Sequence, residues 1–161
     1  MWRLSQVHPE NTRNLCINEN TTHMQKLKKI DTHTNVLTWF ELPVTNTARA
    51  KKFYETILDI TMTTKLFPET NEELTFFPYD PTIIQATSGR VTGALTKSPN
   101  NAPSQNGTLV YINASPSIQH ILDKVEQAGG KIVMPKTEMN AGFIATIIDT
   151  EGNKVGLHAE Q

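Results

Sequence analysis

Apolar and polar positions along residues 35–158 fall into two matching series. Asn35–Val44 (NVLTWFELPV) is β-branched and aromatic and predicts a strand, with Pro43 limiting pairing near its end. Thr45 and Asn46 are helix-capping types. Over Thr47–Asp59 the apolar Ala50, Phe53, Tyr54 and Ile57 fall on one helical face, and Arg49, Lys51, Lys52 and Glu55 fall mostly on the other. Ile60–Phe67, Glu73–Phe77 and Arg90–Thr96 then read as strands, separated by a turn at Pro68–Asn71 and a loop at Pro78–Thr87. A polar Pro/Asn stretch, Ser98–Asn106, interrupts the pattern, and the same order begins again. Gly107–Asn113 is a strand, and Ser115-Pro116 reads as a helix start, a capping hydroxyl followed by proline at the first helical position. Ile118, Ile121, Leu122 and Val125 keep the spacing of a buried face, and Gly129-Gly130 stops the helix. Lys131–Pro135, Phe143–Ile148 and Lys154–His158 complete the set. The pattern is βαβββ, linker, βαβββ: an α+β chain built from one motif used twice. Neither unit buries its sheet face alone, so the two are expected to pair.

The turn Asp149–Asn153 ties the last hairpin together, because Gly152 takes positive φ readily and Asn153 tolerates it. A weaker copy lies upstream in Ser88-Gly-Arg-Val-Thr-Gly-Ala-Leu95; aligning Gly89 with Gly152 brings Gly93 onto Gly156. The expected organisation is a polar, loosely ordered extension over residues 1–32 and one domain over 33–161. Within that domain module one spans 35–97, the linker 98–106 and module two 107–161. Met24, ahead of the basic stretch Gln25–Lys29, is an alternative start.

Composition narrows the function classes. Fifteen basic and sixteen acidic residues are evenly spread, with no basic block of the kind nucleic acids require. No apolar run reaches the length of a membrane span, and residues 1–9 lack the apolar core of a signal peptide. The single cysteine, Cys16, cannot form an internal disulfide, so a reducing, cytoplasmic compartment is expected. His8, Cys16 and His23 have no zinc spacing. Ser88-Gly89-Arg90 precedes no helix and is not a phosphate loop. Asp149 and Glu151 lack the oxygen-ligand spacing of a calcium loop and read as turn caps. His120 falls on the solvent side of its helix, and His33 belongs to the extension.

Several segments, weak singly, carry a resemblance when taken in order: Trp39-Phe-Glu-Leu-Pro-Val44, Ala48-Arg-Ala with Phe53-Tyr54-Glu55, Val110-Tyr-Ile-Asn113, Gly129-Gly130, Gly142-Phe143, and Asp149…Glu151-Gly-Asn153 with Gly156-Leu-His158. From about Asn35 to Ala159 the chain resembles the vicinal oxygen chelate superfamily, the glyoxalase, bleomycin-resistance and extradiol dioxygenase group. The resemblance implies two βαβββ modules forming a cup-shaped mixed sheet with helices outside. It also implies a homodimer and, in many members, a divalent metal held by one residue from the first and one from the last strand of each module. Counting back from Val44 and its repeat partner Asn113, those positions are Trp39, Gly93, Thr108 and Gly156. Indole and glycine supply no suitable donor, and one neutral hydroxyl is a poor ligand, so no metal and no other cofactor is expected.

Strand alternation places Trp39, Glu41, Thr108, Val110, Gly156 and His158 inside the cup, and Phe40, Leu42, Leu109, Tyr111, Val155 and Leu157 toward the helices. Glu41 and His158 are then the inward groups able to move protons near neutral pH, either as a catalytic pair or as an exposed carboxylate and a strand-end imidazole. Trp39 beside Gly93 and Gly156 either offers a surface to a flat apolar ligand or fills that space itself. Three readings follow: a small-molecule binding module, a metal-free lyase or isomerase using Glu41 or His158 as base, and a metal enzyme with ligands displaced to Glu41 and His158.

Overall fold

The computed structural model describes residues 30–84 and 88–160. The features read in residues 1–29, including Cys16, His8, His23 and Met24, lie outside the described residues, as does the end of the Pro78–Thr87 loop. Module one runs β1 (Trp39–Pro43), α1 (Thr47–Leu58), β2 (Thr63–Phe67), β3 (Glu72–Phe76) and β4 (Thr92–Lys97). Module two runs β5 (Tyr111–Asn113), α2 (Ile118–Val125), β6 (Lys131–Met139), β7 (Gly142–Ile148) and β8 (Lys154–Ala159). The two four-stranded sheets have the same order, β1-β4-β3-β2 and β5-β8-β7-β6. In each, the first strand pairs in parallel with the last and the remaining pairs are antiparallel. The duplicated α+β motif is thus present in the fold.

Helix α1 forms where the apolar spacing predicts it. Asn46 caps it, its side-chain oxygen accepting from the Arg49 N–H at 3.0 Å, and Asp59 ends it in the left-handed region at φ 55°. Thr47, Ala50, Phe53, Tyr54 and Ile57 form its buried face. Burying large apolar side chains such as Phe53 and Ile57 stabilises the fold by roughly 1.5–3 kcal/mol each. Helix α2 buries Ile118, Ile121, Leu122 and Val125. Its start differs from expectation: the Ser115–Pro116 bond is cis and the N-cap is Ser117, two residues later. Ser115 instead donates its backbone N–H to Asn113 Oδ1 at 2.9 Å. Strand β6 is longer than the sequence suggests, reaching Met139 past Pro135, and register shifts between Ile132 and Met134 and between Met134 and Thr137 accommodate the proline. Strand β5 is shorter, because Thr108 and Leu109 run ahead of the ladder and Val110 joins it only through its carbonyl, which accepts from the Gly156 N–H at 2.9 Å.

The modules join through their helices. α1 packs on β3 and β4, α2 packs on β6, β7 and β8, and the helices pack on each other; among the described residues no strand of one sheet pairs with a strand of the other. Gly130 lets Phe53 of α1 come close to the start of β6, since a Cβ there would sit 2.7 Å from Phe53 Cε2. At the ends of the helices Asp59 accepts from Lys124 and from His120, the latter at 3.2 Å, and these partners hold its pKa below the ordinary value. No described helix is long and apolar enough to cross a membrane.

Candidate functional site

The Asp149–Asn153 turn caps, as its sequence suggests, and it also clamps the two modules. Asp149 Oδ1 accepts from the backbone N–H groups of Glu151 and Asn153, both at 2.9 Å. Its Oδ2 accepts from the Tyr54 hydroxyl at 2.8 Å and from Asn153 Nδ2 at 3.0 Å. Asn153 Nδ2 also donates to the Pro43 carbonyl at 2.7 Å. Glu151 reaches the N-terminus of α1. Its Oε2 accepts from Thr45 N–H (2.8 Å), Thr45 Oγ1 (2.7 Å) and Asn46 N–H (2.9 Å), and its Oε1 accepts from Arg49 Nε at 2.7 Å. The Glu151 side chain is 0% exposed. Burial alone would push its pKa up, but the hydrogen bonds from Arg49, Thr45 and Asn46 outweigh that and bring it to about 2. Burial first, and then the Asp149 charge, hold the Tyr54 hydroxyl well above its ordinary pKa. These acids have their acceptor capacity taken up by the fold.

The sheet faces turned away from the helices are different. On module one, Trp39 and Glu41 of β1 share a face with Thr92 and Ala94, their register partners on β4, and with Phe76, the partner of Ala94 on β3. Trp39 Nε1 donates to Glu41 Oε1 at 3.1 Å. The Trp39 ring lies 5.9 Å from Phe76, Phe76 lies 5.8 Å from Tyr79, and Lys65 Nζ stands 5.7 Å from the Phe76 centroid. Glu41 is exposed. Gly93 does not join this face. It is the register partner of Phe40, and a Cβ on it would sit 2.7 Å from Phe40 Cγ, on the core side.

On module two, Tyr111, Asn113, Ile144 and His158 share a face with Gly156 through the registers Tyr111↔Gly156, Asn113↔His158 and Ile144↔His158. With Met139 and Ala141, the first four line a cavity of about 520 Å³. Tyr111 was expected to face the helices; it lies on the open side and is 47% exposed. The space over Gly156 is filled by the Tyr111 ring, since a Cβ at Gly156 would sit 2.5 Å from Tyr111 Cδ1. His158 Nε2 lies 2.8 Å from the Ala141 carbonyl. A carbonyl only accepts, so that nitrogen carries the proton and Nδ1 keeps a lone pair when the ring is neutral. Thr108 is exposed, lies before β5 and lines a separate small cavity with Ser104 and Lys154. Trp39 and Glu41 are therefore together on one module, Gly156 and His158 together on the other, and the cavity beside His158 is lined by module two alone.

Backbone hydrogen bonds also correct the alignment of the halves. Val44 N–H donates to Thr96 O, and Ala114 N–H donates to His158 O. Val44 thus corresponds to Ala114, one residue beyond Asn113, and Gly156 corresponds to Ala94 rather than Gly93. The same shift makes Glu41 the counterpart of Tyr111, in agreement with the registers Glu41↔Ala94 and Tyr111↔Gly156. The first-strand and last-strand positions become Trp39, Ala94, Leu109 and Gly156, which provide no metal donor. Among the described residues no three His, Cys, Asp or Glu side chains gather where a cation could be held. The family's metal does not fit these positions.

Comparison with known proteins agrees with this architecture. A glyoxalase I mutant from Zea mays superimposes with a TM-score of 0.56 at 22% identity, covering 76% of this chain and 46% of that one, so the chain spans about half the length of the maize protein. The trypanothione-dependent glyoxalase I of Leishmania major gives 0.58 at 18% identity, covering 78% of this chain and 87% of that one. An antibiotic binding protein from Streptomyces gives 0.53 at 16%, covering 79% and 97%. At these identities the likeness is one of fold. No curated protein sequence matches the chain. Residues 36–157 match the family described as Glyoxalase/Bleomycin resistance protein/Dioxygenase superfamily, and the chain belongs to that superfamily.

Proposed function

We propose that this protein binds a small apolar or planar molecule on its open sheet faces without the family metal, and that it does so as a cytoplasmic homodimer with residues 33–161 as the working unit. In the dimer the Trp39 face of one copy closes over the Tyr111 face of the other. The observation that carries this reading is the separation of the two faces within one chain. The Trp39–Phe76–Tyr79 run of rings lies on one face and the cavity beside His158 on the other, and the described strands of the two sheets do not pair with each other, so each face supplies half of the proposed pocket. Exposed Tyr111 and Met139 (47% and 52%) are side chains that a second copy or a ligand would cover. The chemistry of Trp39, Ala94, Leu109 and Gly156 supports binding without a metal. The Streptomyces relative, described as antibiotic binding, is a precedent for a binding role on this fold.

A thermal-shift screen of the purified protein against divalent cations and a small-molecule library tests the reading. Planar apolar compounds are expected to raise the melting temperature by mass action, while Zn²⁺, Ni²⁺ and Fe²⁺ leave it unchanged. Stabilisation by a cation that EDTA reverses would overturn it. A second reading, a lyase or isomerase using Glu41 and His158, draws support from the lone pair left on His158 Nδ1, a proton acceptor fixed beside a cavity. Turnover of α-oxoaldehyde–thiol adducts that is lost in both Glu41→Gln and His158→Ala would favour it over binding alone.

A further inference from the structure

The cavity on module two has a chemistry more specific than apolar. Gly156 lets the Tyr111 ring lie down against β8, so its outer face forms a flat floor. Ile144, Met139 and Ala141 supply apolar walls, and the lining contains no Asp, Glu, Lys or Arg to pair with a charged ligand. The polar groups that remain are adjacent. Asn113 and His158 are register partners on neighbouring parallel strands. Asn113 Oδ1 is occupied by the Ser115 N–H at 2.9 Å, which leaves the Nδ2 amide as the side chain's free donor. His158 Nε2–H is occupied by the Ala141 carbonyl, which leaves Nδ1 as an acceptor. A donor and an acceptor thus stand side by side at the edge of an aromatic floor.

We propose that this face is a binding site for a flat, neutral heterocycle that carries a carbonyl next to an N–H, a lactam edge, with the ring stacked on Tyr111. The ligand carbonyl accepts from Asn113 Nδ2 and the ligand N–H donates to His158 Nδ1. A molecule lacking either group leaves one of these protein groups unpaired when it covers the site, and that loss sets the preference. The inference rests on the small-molecule reading above and specifies the ligand class of one of its two faces.

Isothermal titration of the intact protein with 2-quinolinone, N-methyl-2-quinolinone and naphthalene tests it. 2-Quinolinone is expected to bind about tenfold or more tightly than either comparator, the size of one lost hydrogen bond. Asn113→Asp keeps the acceptor for Ser115 and removes the donor that meets the ligand carbonyl; it should weaken 2-quinolinone binding by about tenfold or more, with the melting temperature near wild type. Transfer of ¹H–¹⁵N shift changes to the Asn113 side-chain amide on adding 2-quinolinone is the expected local signature. Equal affinities for 2-quinolinone and its N-methyl derivative would overturn the lactam assignment and leave the broader reading standing. Failure of all three compounds to bind would overturn both.

Discussion

The last hairpin contains two regions that differ in kind. At its turn, Asp149 and Glu151 are buried acids whose oxygens are saturated by Tyr54, Asn153, Thr45, Asn46 and Arg49. A few residues on, His158 faces a cavity with one ring nitrogen committed and the other available. The charged turn holds the modules together, and the neutral strand end has capacity to spare. A buried charge must be fully partnered to persist, which makes it a poor reagent; a half-exposed group with an open valence can meet a ligand. The contrast assigns stability to the turn and binding to the open faces, and substitutions can test that division in both directions.

The largest effect is expected at Glu151. Glu151→Ala removes the acceptor for three donors and the partner of Arg49, and should cost roughly 3 kcal/mol, read as a lower denaturation midpoint. Acid should do the same to the native protein. Glu151 has a folded pKa of about 2 against an ordinary 4.5, so its contribution is present above pH 4.5 and is lost as pH falls from there toward 2. That loss is at most about 3 kcal/mol and should be absent from the acid titration of Glu151→Gln. Tyr54→Phe deletes one buried hydrogen bond to Asp149, for about 1 kcal/mol. The Tyr54 pKa is raised by burial and by Asp149, so its contribution is present below pH 10 and declines as pH rises past the unfolded value; Tyr54→Phe should flatten that alkaline decline. On the open faces, Trp39→Ala and Tyr111→Ala should each change stability by less than about 1 kcal/mol while weakening ligand binding by about tenfold. A large loss of stability there with intact binding would reverse the assignment.

The duplicated motif was legible because its signals are local. The 3.6-residue spacing of Ala50, Phe53, Tyr54 and Ile57, and of Ile118, Ile121, Leu122 and Val125, marks both helices, and turn residues bound the strands. The register between the halves was not local. Module one joins β3 to β4 through a long loop, whereas module two joins β7 to β8 through a tight turn, so aligning Gly89 with Gly152 misplaces every later position by one residue. One residue is enough to exchange sheet faces: this slip hides that Gly93 lies against Phe40, and pairing Val44 with Asn113 instead of Ala114 likewise hides that Tyr111 lies on the open side. Ser115, Pro116 and Ser117 offer two capping-type residues for one N-cap position, and Ser117 takes it without a side-chain hydrogen bond to the helix. The clamp carried one readable signal. Helix α1 has no acidic residue in its first turn, so its N-terminal amides need a carboxylate from elsewhere, and Glu151 supplies it. Asn113 was missed because an asparagine at a strand end is ordinary until its oxygen is seen to be occupied.

The most direct test is a mixing experiment between Trp39→Ala and Tyr111→Ala proteins, using the compound that most raises the wild-type melting temperature. In the proposed dimer, each variant alone carries one damaged face in every pocket. After subunit exchange, a mixed dimer has one pocket with both faces damaged and one with both intact. Mixing is expected to restore full-affinity binding at one site per mixed dimer. Mixed dimers that bind no better than the two variants measured separately, or a monomer that binds with full affinity, would contradict it.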